Sequence, residues 1–351
     1  MKKVFLFVLV SIFPWQLPIL AQNAPARNAK KDSVYFSKPY PFILPIMGSK
    51  VHNLGFKLPF PMGVMINALA VKQDLTLTNL KVGFNESDWI ELDDVVTFDK
   101  ISSQAATFNA RFDLWVLPFL NVYGIFGRTA DADIDVNLVE PFPLNITTSI
   151  GGNYVGYGLL LAGGVGPLFV SIDANRTYNY NPRLDDPAKV FIAGMRTGPI
   201  IRFKNNADMN VVIWAGAMYS HFNGETIGSI NVLDIAPDAP GKIDEMQGDL
   251  DSWYDGLSAA QKILYNGIYT RLSDGFTNLK GNIETGYIRY DMTKEITQPW
   301  NMLIGAQWQI NYRWQIRTEA QFLGSRTAAM LSLNYRFGVK GKNWLSGVSS
   351  K

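Results

Sequence analysis

The chain contains no cysteine. That excludes disulfides, thiol catalysis, cysteine-ligated metal and a lipid anchor on an N-terminal cysteine. A chain of this kind passes safely through an oxidising compartment. Histidine is nearly absent too, with only His52 and His221. An excess of charge is also missing. The 32 basic and 30 acidic residues almost cancel, so nothing points to nucleic acid as a partner. Finally, the chain has no apolar run of the roughly 20 residues needed to cross a bilayer as a helix.

The apolar run that does exist is short and sits at the start. Lys2 and Lys3 precede Val4 to Phe13, which is broken only by Ser11, and Pro14 and Pro18 then interrupt it. A basic lead, a short apolar segment and Ala21-Gln22 as a cleavage point read as a secretory signal over residues 1–21. The expectation is an exported chain that carries no membrane helix.

What the chain has in abundance is alternation. Aromatics make up 13% of it and glycines number 30, a mixture that suits strands and barrel corners. The plainest case is the stretch from Trp300 to Lys340. Asn301, Leu303, Gly305, Gln307 and Gln309 share one parity, and Met302, Ile304, Ala306, Trp308 and Ile310 the other. After a break at Tyr312 and Arg313, Gln315, Arg317, Glu319 and Gln321 alternate with Trp314, Ile316, Thr318, Ala320 and Phe322. A third run sets Ser332, Asn334 and Arg336 against Leu331, Leu333, Tyr335 and Phe337. Successive side chains of a strand point to opposite faces, so each run has one greasy and one polar side. Three such runs with almost no linker form an antiparallel meander.

The same texture covers most of the chain. Thr107, Asn109, Arg111 and Asp113 alternate with Phe108, Ala110, Phe112 and Leu114. From Leu120 to Leu138 one parity is kept for about nineteen residues, more than a bilayer crossing uses, so one end projects beyond the membrane. Further strands are expected at 76–84, 155–165, 168–178, 190–203, 209–222, 224–233 and 278–290, and 62–71 is either a first strand or part of the extended segment before it. The acidic stretch from Glu86 to Ser103 reads as a loop. Only Asp244 to Ser273 breaks the pattern. Met246, Leu250, Trp253, Leu257, Ile263, Leu264, Ile268 and Leu272 recur there at helical spacing, with Ser258 placed to cap the second of two short amphipathic helices.

A soluble sandwich is the simplest home for a meander. Export together with repeated dyads points elsewhere, because a bilayer tolerates only helices or closed barrels. The expected fold is all-β: a closed antiparallel transmembrane barrel of about 12 strands, within a range of about 10–14, carrying a helical insert. With an even strand number both termini face the periplasm. Counting strands back from Phe337 puts the insert on that side too, provided that 224–233 is a strand. The expected divisions are 1–21 signal peptide, 22–60 extended or partly disordered lead, 61–340 barrel with the insert at 244–273, and 341–351 tail.

Several segments carry a family resemblance: Asp113-Leu114-Trp115 through Asn121-Val122-Tyr123-Gly124, Asp173-Ala174-Asn175, Trp214 to Tyr219, and Pro299-Trp300-Asn301 with its meander. Over roughly residues 60–340 the chain resembles an outer-membrane β-barrel family of Gram-negative bacteria to which no activity is attached. Leu333-Asn334-Tyr335-Arg336-Phe337 is similar to the aromatic-ended last strand read by the barrel-assembly machinery, although fourteen residues follow it here. The resemblance implies a place in the cell outer membrane, among bilayer lipid and lipopolysaccharide. It leaves the oligomeric state open.

Candidate chemistry is sparse. Asp131, Asp133 and Asp135 share one face and offer the oxygen ligands that hard cations take, but a strand end in solvent explains them as well. No metal and no cofactor is assigned. Arg111, Asp113, Asn121, Asp173, Lys280, Glu284, Arg317, Glu319 and Arg336 fall on polar parities and are the candidate lumen-lining set. Either they set the selectivity of a pore, or their opposite charges pair and fill the interior. Their mixed signs favour pairing. A lipid-cutting enzyme needs a serine beside a histidine base, and Ser220 and His221 point to opposite faces of their strand. Three readings of function remain: passive or gated passage of small solutes or lipidic molecules, a non-conducting interaction barrel using its helices, and a lipid-modifying enzyme.

Overall fold

The computed structural model describes residues 35–341 apart from 100, 142, 150, 166, 181–185, 204, 205, 224 and 236–238. The expected signal peptide at 1–21, the start of the lead at 22–34 and the tail from 342 lie outside the described residues.

Ten strands close into a cylinder and five more lie beyond it. In ring order the ten are β1 (Met62–Phe84), β4 (Ile101–Leu117), β5 (Leu120–Glu140), β7 (Gly152–Val165), β8 (Leu168–Tyr180), β9 (Ala188–Phe203), β10 (Asn206–Asn223), β13 (Trp300–Gln309), β14 (Trp314–Phe322) and β15 (Arg326–Phe337). Closure is made by β1, which pairs with β4 on one edge and β15 on the other, running Met62↔Phe337 to Gln73↔Arg326. The short pieces β2 (Ile90–Glu91), β3 (Thr97–Phe98) and β6 (Leu144–Ser149) lie where β1 and β5 overrun the ring.

Parity decides what each face meets. Ile66, Phe108, Phe112, Phe126, Tyr157, Leu159, Met195, Ile304 and Leu331 point outward and are exposed on every side of the ring. Asn67, Asn121, Ser171, Asn301, Glu319 and Ser332 are buried. This is the reverse of a water-soluble core. An apolar belt of such extent in water would drive association, whereas in a bilayer it is the solvated surface. Tight turns join the strands at the rim that holds Met62 and Phe337, the terminal rim, and the longer excursions leave the opposite, distal rim.

Room for the inward aromatics comes from glycine on the neighbouring strand. A Cβ on Gly158 would lie 2.4 Å from the Tyr123 ring, and one on Gly305 2.6 Å from the Trp214 ring. These glycines fall on the inner parity, where bulk on one strand requires its absence on the next.

A second, smaller core stands on the distal rim. The stretches read separately at 62–71 and 76–84 are one strand of 23 residues, continued through a bulge between Thr78 and Lys81 with Asn79 at φ 54. Its upper half, Leu75 to Phe84, pairs with β12 (Tyr287–Ile296), and β11 (Glu225–Asn231) adds to the far edge of β12. Two short helices come first, α1 (Gly48–Asn53) ahead of β1 and α2 (Val232–Ile235) behind β11. Against the ribbon pack α3 (Ala239–Gly256) and α4 (Ala259–Gly281), bringing Phe84, Ile90, Leu92, Met246, Leu250, Phe276 and Leu279 together. α4 starts at the expected residue: Ser258 Oγ accepts from Gln261 N while the Gln261 side chain returns to the Ser258 amide. Both helices run beyond the expected 244–273.

Three expectations change. The segment 278–290 is not one strand, because α4 continues to Gly281 and β12 begins only at Tyr287. β12 does not cross the membrane; it pairs above the ring with β1 and β11. Three crossings, not four, therefore separate the helices from Phe337, and the helical unit sits at the rim opposite the termini. The Glu86–Ser103 loop holds β2, β3 and the start of β4.

Candidate functional site: the barrel lumen

A cavity of about 1420 Å³ runs inside the barrel. Phe56, Lys57 and Pro59 border it near the termini, and Ser103, Asn179, Tyr180 and Lys294 border it at the distal rim. Its wall has two characters. On β1, β9 and β10 the inward residues include Leu69, Val71, Leu75, Val190, Ile192, Val212 and Met218. On β13, β14 and β15 they include Gln307, Gln309, Gln315, Arg317, Glu319, Gln321, Asn334 and Arg336. β4, β5 and β8 add Asn109, Arg111, Asn121, Asp173 and Asn175, so aliphatic patches alternate round the ring with hydrogen-bonding sectors.

The polar side is built round Glu319, which is 2% exposed. Arg196 grips it with two parallel bonds, Nε to Oε2 at 2.7 Å and Nη2 to Oε1 at 3.0 Å. Arg317 Nη2 donates to Oε2 at 2.8 Å and Trp214 Nε1 to the same oxygen at 3.2 Å. Arg196 also pairs with Asp173, and the Arg317 guanidinium lies over the Trp214 ring. Two guanidinium groups face two carboxylates, so this ladder is neutral. A carboxylate so deep in the wall is tolerable only because bidentate and charge-assisted bonds replace its water.

A second cluster lies nearer the termini. Asp113 accepts from Asn121 Nδ2 at 2.7 Å and from Arg336 Nη2 at 3.1 Å. Arg336 also donates to Phe60 O, tying the wall to the segment before β1. Arg111 stacks 3.6 Å above the Tyr123 ring and reaches Asn121.

That segment, residues 35–61, lies across the terminal rim. Ile46 N bonds to Val116 O, Ile43 N to Val339 O, and Phe42 forms a bridge with Lys340. Inside it, His52 is 1% exposed, ringed by Tyr35, Phe36 and Tyr40, and its Nε2 donates to Lys38 O at 2.9 Å. Burial holds the Tyr40 hydroxyl well above its ordinary range. These contacts make the segment a packed strap over the rim. At the other histidine, Ser220 is wholly buried on the inner face and His221 is exposed on the outer one.

Of the nine lumen candidates, Arg111, Asp113, Asn121, Asp173, Arg317, Glu319 and Arg336 border the cavity. Lys280 and Glu284 do not. Lys280 is on α4 and pairs with Asp244 of α3, and Glu284 is in the turn before β12, because the strand assumed there is helix and turn. Asp131, Asp133 and Asp135 belong to the part of β5 beyond its pairing with β7, where β6 pairs alongside. The side chains of Asp131 and Asp133 lie outside the described residues. Among the described residues no cluster suited to a metal ion occurs.

Four further cations of the wall escape parity reading: Arg196, Arg202, Lys294 and Arg326. On β9 the inward positions run Val190, Ile192, Gly194, Arg196 and Gly198, so the inner face is no more polar than the outer. Arg326 sits in what reads as a turn, and Lys294 on a strand placed too early. Register against β1, not parity, finds the last two.

No protein-family model and no curated protein matches the sequence. Among solved structures, the β-domain of the Bordetella autotransporter BrkA is similar at 7% identity and a TM-score of 0.36, over 80% of this chain and 100% of that one. The translocator domain of the autotransporter NalP from Neisseria meningitidis gives 10% and 0.32, over 79% and 89%. An outer membrane channel from Pseudomonas putida F1 gives 10% and 0.29, over 79% and 96%. No function is carried across at these values. The closed ring, the apolar belt and the polar interior stand on the chain's own residues, and by them it is an outer-membrane β-barrel.

Proposed function

We propose that the barrel is a conduit for small amphipathic solutes, gated at one rim by the strap of residues 35–61. The observation that carries this reading is the cavity itself, about 1420 Å³ bordered by residues of both rims, with aliphatic patches set among hydrogen-bonding groups. A lumen filled only to hold itself together has no need of such volume, since interiors of small barrels are taken up by side chains. Tight turns are periplasmic in this class and long excursions external. On that rule the strap faces the periplasm and α3 and α4 face outward.

The test is conductance in planar bilayers together with swelling of liposomes in neutral sugars, for the mature chain and for a deletion of residues 35–57. The expected result is weak or intermittent current that becomes larger and steady in the deletion. Zero current from both proteins at every voltage would sink the conduit.

A second reading has its own observation. Ile263 and Leu264 of α4 are 83% and 69% exposed, far more than a buried helix face allows. They favour an interaction role for the distal unit.

A further inference from the structure

The charges of the lumen do not balance. Eight basic residues border the cavity against three acidic ones. The three carboxylates are already engaged: Asp173 and Glu319 by Arg196 and Arg317, and Asp113 by Arg336. The surplus includes two side chains set close together by strand register. Along the inner face of β1, Gln73 pairs with Arg326, Leu75 with Ile296, and Leu77 with Lys294. Arg326 and Lys294 thus flank Ile296, separated along β1 by four residues, about 13 Å of backbone. Side chains of this length reach a common point between those levels.

Neither cation makes an ion pair among the described residues. Arg326 Nε donates to Gln321 Oε1 at 2.9 Å, while its two Nη groups and the Lys294 ammonium have no partner among the described residues. Both side chains border the cavity. Below them the same seam turns apolar: Leu69 pairs with Met330, Val71 with Ala328, and Ala105 of β4 lies across from Val71. Two unmatched cations above a greasy strip form a complementary surface for one kind of molecule.

We infer that the distal half of the lumen binds an organic anion with an apolar tail, its acid headgroup held between Arg326 and Lys294 and its tail lying along Leu69, Val71 and Met330. This rests on the conduit reading and names its cargo by chemistry. A neutral molecule of the same shape leaves both cations unanswered in a partly desolvated wall, and a cationic one is repelled. The charged headgroup supplies specificity and the strip supplies affinity in proportion to the tail buried.

The experiment uses the mature barrel in nanodiscs, with octanoate as probe and octanol, octylammonium and acetate as controls. Binding is followed through tryptophan fluorescence, since Trp214 and Trp115 border the cavity. Empty nanodiscs correct for partition into lipid. Octanoate is expected to bind saturably and at least tenfold more tightly than octanol, with acetate and octylammonium weaker still. Arg326→Gln and Lys294→Gln should each weaken octanoate about tenfold, and the pair should abolish the preference over octanol. Retention of that preference by the double variant, or equal binding of octanoate and octanol by wild type, overturns the inference. Swelling in neutral sugar separates the two ideas: sugar passage without octanoate preference leaves the conduit and removes the anion site, and octanoate preference without passage does the reverse. The folded state of each variant is read from its heat-dependent migration on gels, and Arg326→Lys, which keeps the charge, should retain most of the preference.

Discussion

The lumen holds two clusters of charge built on opposite rules. Around Glu319 each charge has its counter-charge: Arg196 and Arg317 face Glu319 and Asp173, with Trp214 closing the last approach. Around Ile296 no carboxylate among the described residues answers Arg326 or Lys294, and Arg326 meets only the neutral Gln321 side chain. The first arrangement fixes the wall, because every member is held by another. The second leaves donors aimed at a space. A barrel interior therefore does two jobs, and the sign of the leftover charge tells which residues do which.

The largest expected effect comes from breaking the balanced cluster. Arg196→Ala strands Asp173 and leaves Glu319 with only Arg317 and Trp214, and should cost about 3–5 kcal/mol, read by urea unfolding of the reconstituted barrel. Arg326→Gln should change the same midpoint by no more than about 0.5 kcal/mol while octanoate binding suffers. If the two substitutions destabilise alike, the distinction between clusters is lost.

Next in size is the packing that holds Trp214 over Glu319. Gly305→Val places branched carbon where the indole lies, since even a Cβ there is 2.6 Å from the ring. The loss should be about 1–3 kcal/mol, with a shift in tryptophan emission as the ring leaves its seat.

A smaller effect is set by pH. Burial pushes the Lys294 ammonium down to about 8. The group is charged below that value and loses its proton as pH rises through it, whereas Arg326 stays charged throughout. Octanoate affinity should therefore fall by several-fold between about pH 7 and 9 and then level off. Lys294→Arg should flatten the profile, and an unchanged slope in that variant would move the titration to another group. The smallest change is expected from Ile263→Lys on α4, where the side chain is 83% exposed and the folded unit should lose less than about 0.5 kcal/mol.

Much of this was legible in the alternation of residues. Parity alone put Arg317 and Glu319, or Arg111 and Asp113, on a common inner face, because a strand has no other way to present side chains two apart. It also exposed the overlong β5. What parity lacks is partnership. Lys280 and Glu284 alternate like strand residues yet lie on a helix and in its following turn, since three alternating positions also fit one helical turn and a half. Arg196 was invisible because its strand carries glycines and aliphatics inward. β12 was counted as a crossing although its partners lie above the ring, a matter of long-range pairing that no local pattern carries.

The long first strand has a consequence for how the molecule is made. Its lower half is zipped to β15 and its upper half to β12, so one continuous ribbon is shared by the cylinder and by the distal core. Both partners are synthesised more than two hundred residues later. Neither unit is complete until nearly all of the polypeptide has emerged, and contacts of such separation close slowly. A chain cut short before β12 forfeits both at once, which makes cylinder and headpiece a single obligate assembly, not a barrel with an ornament.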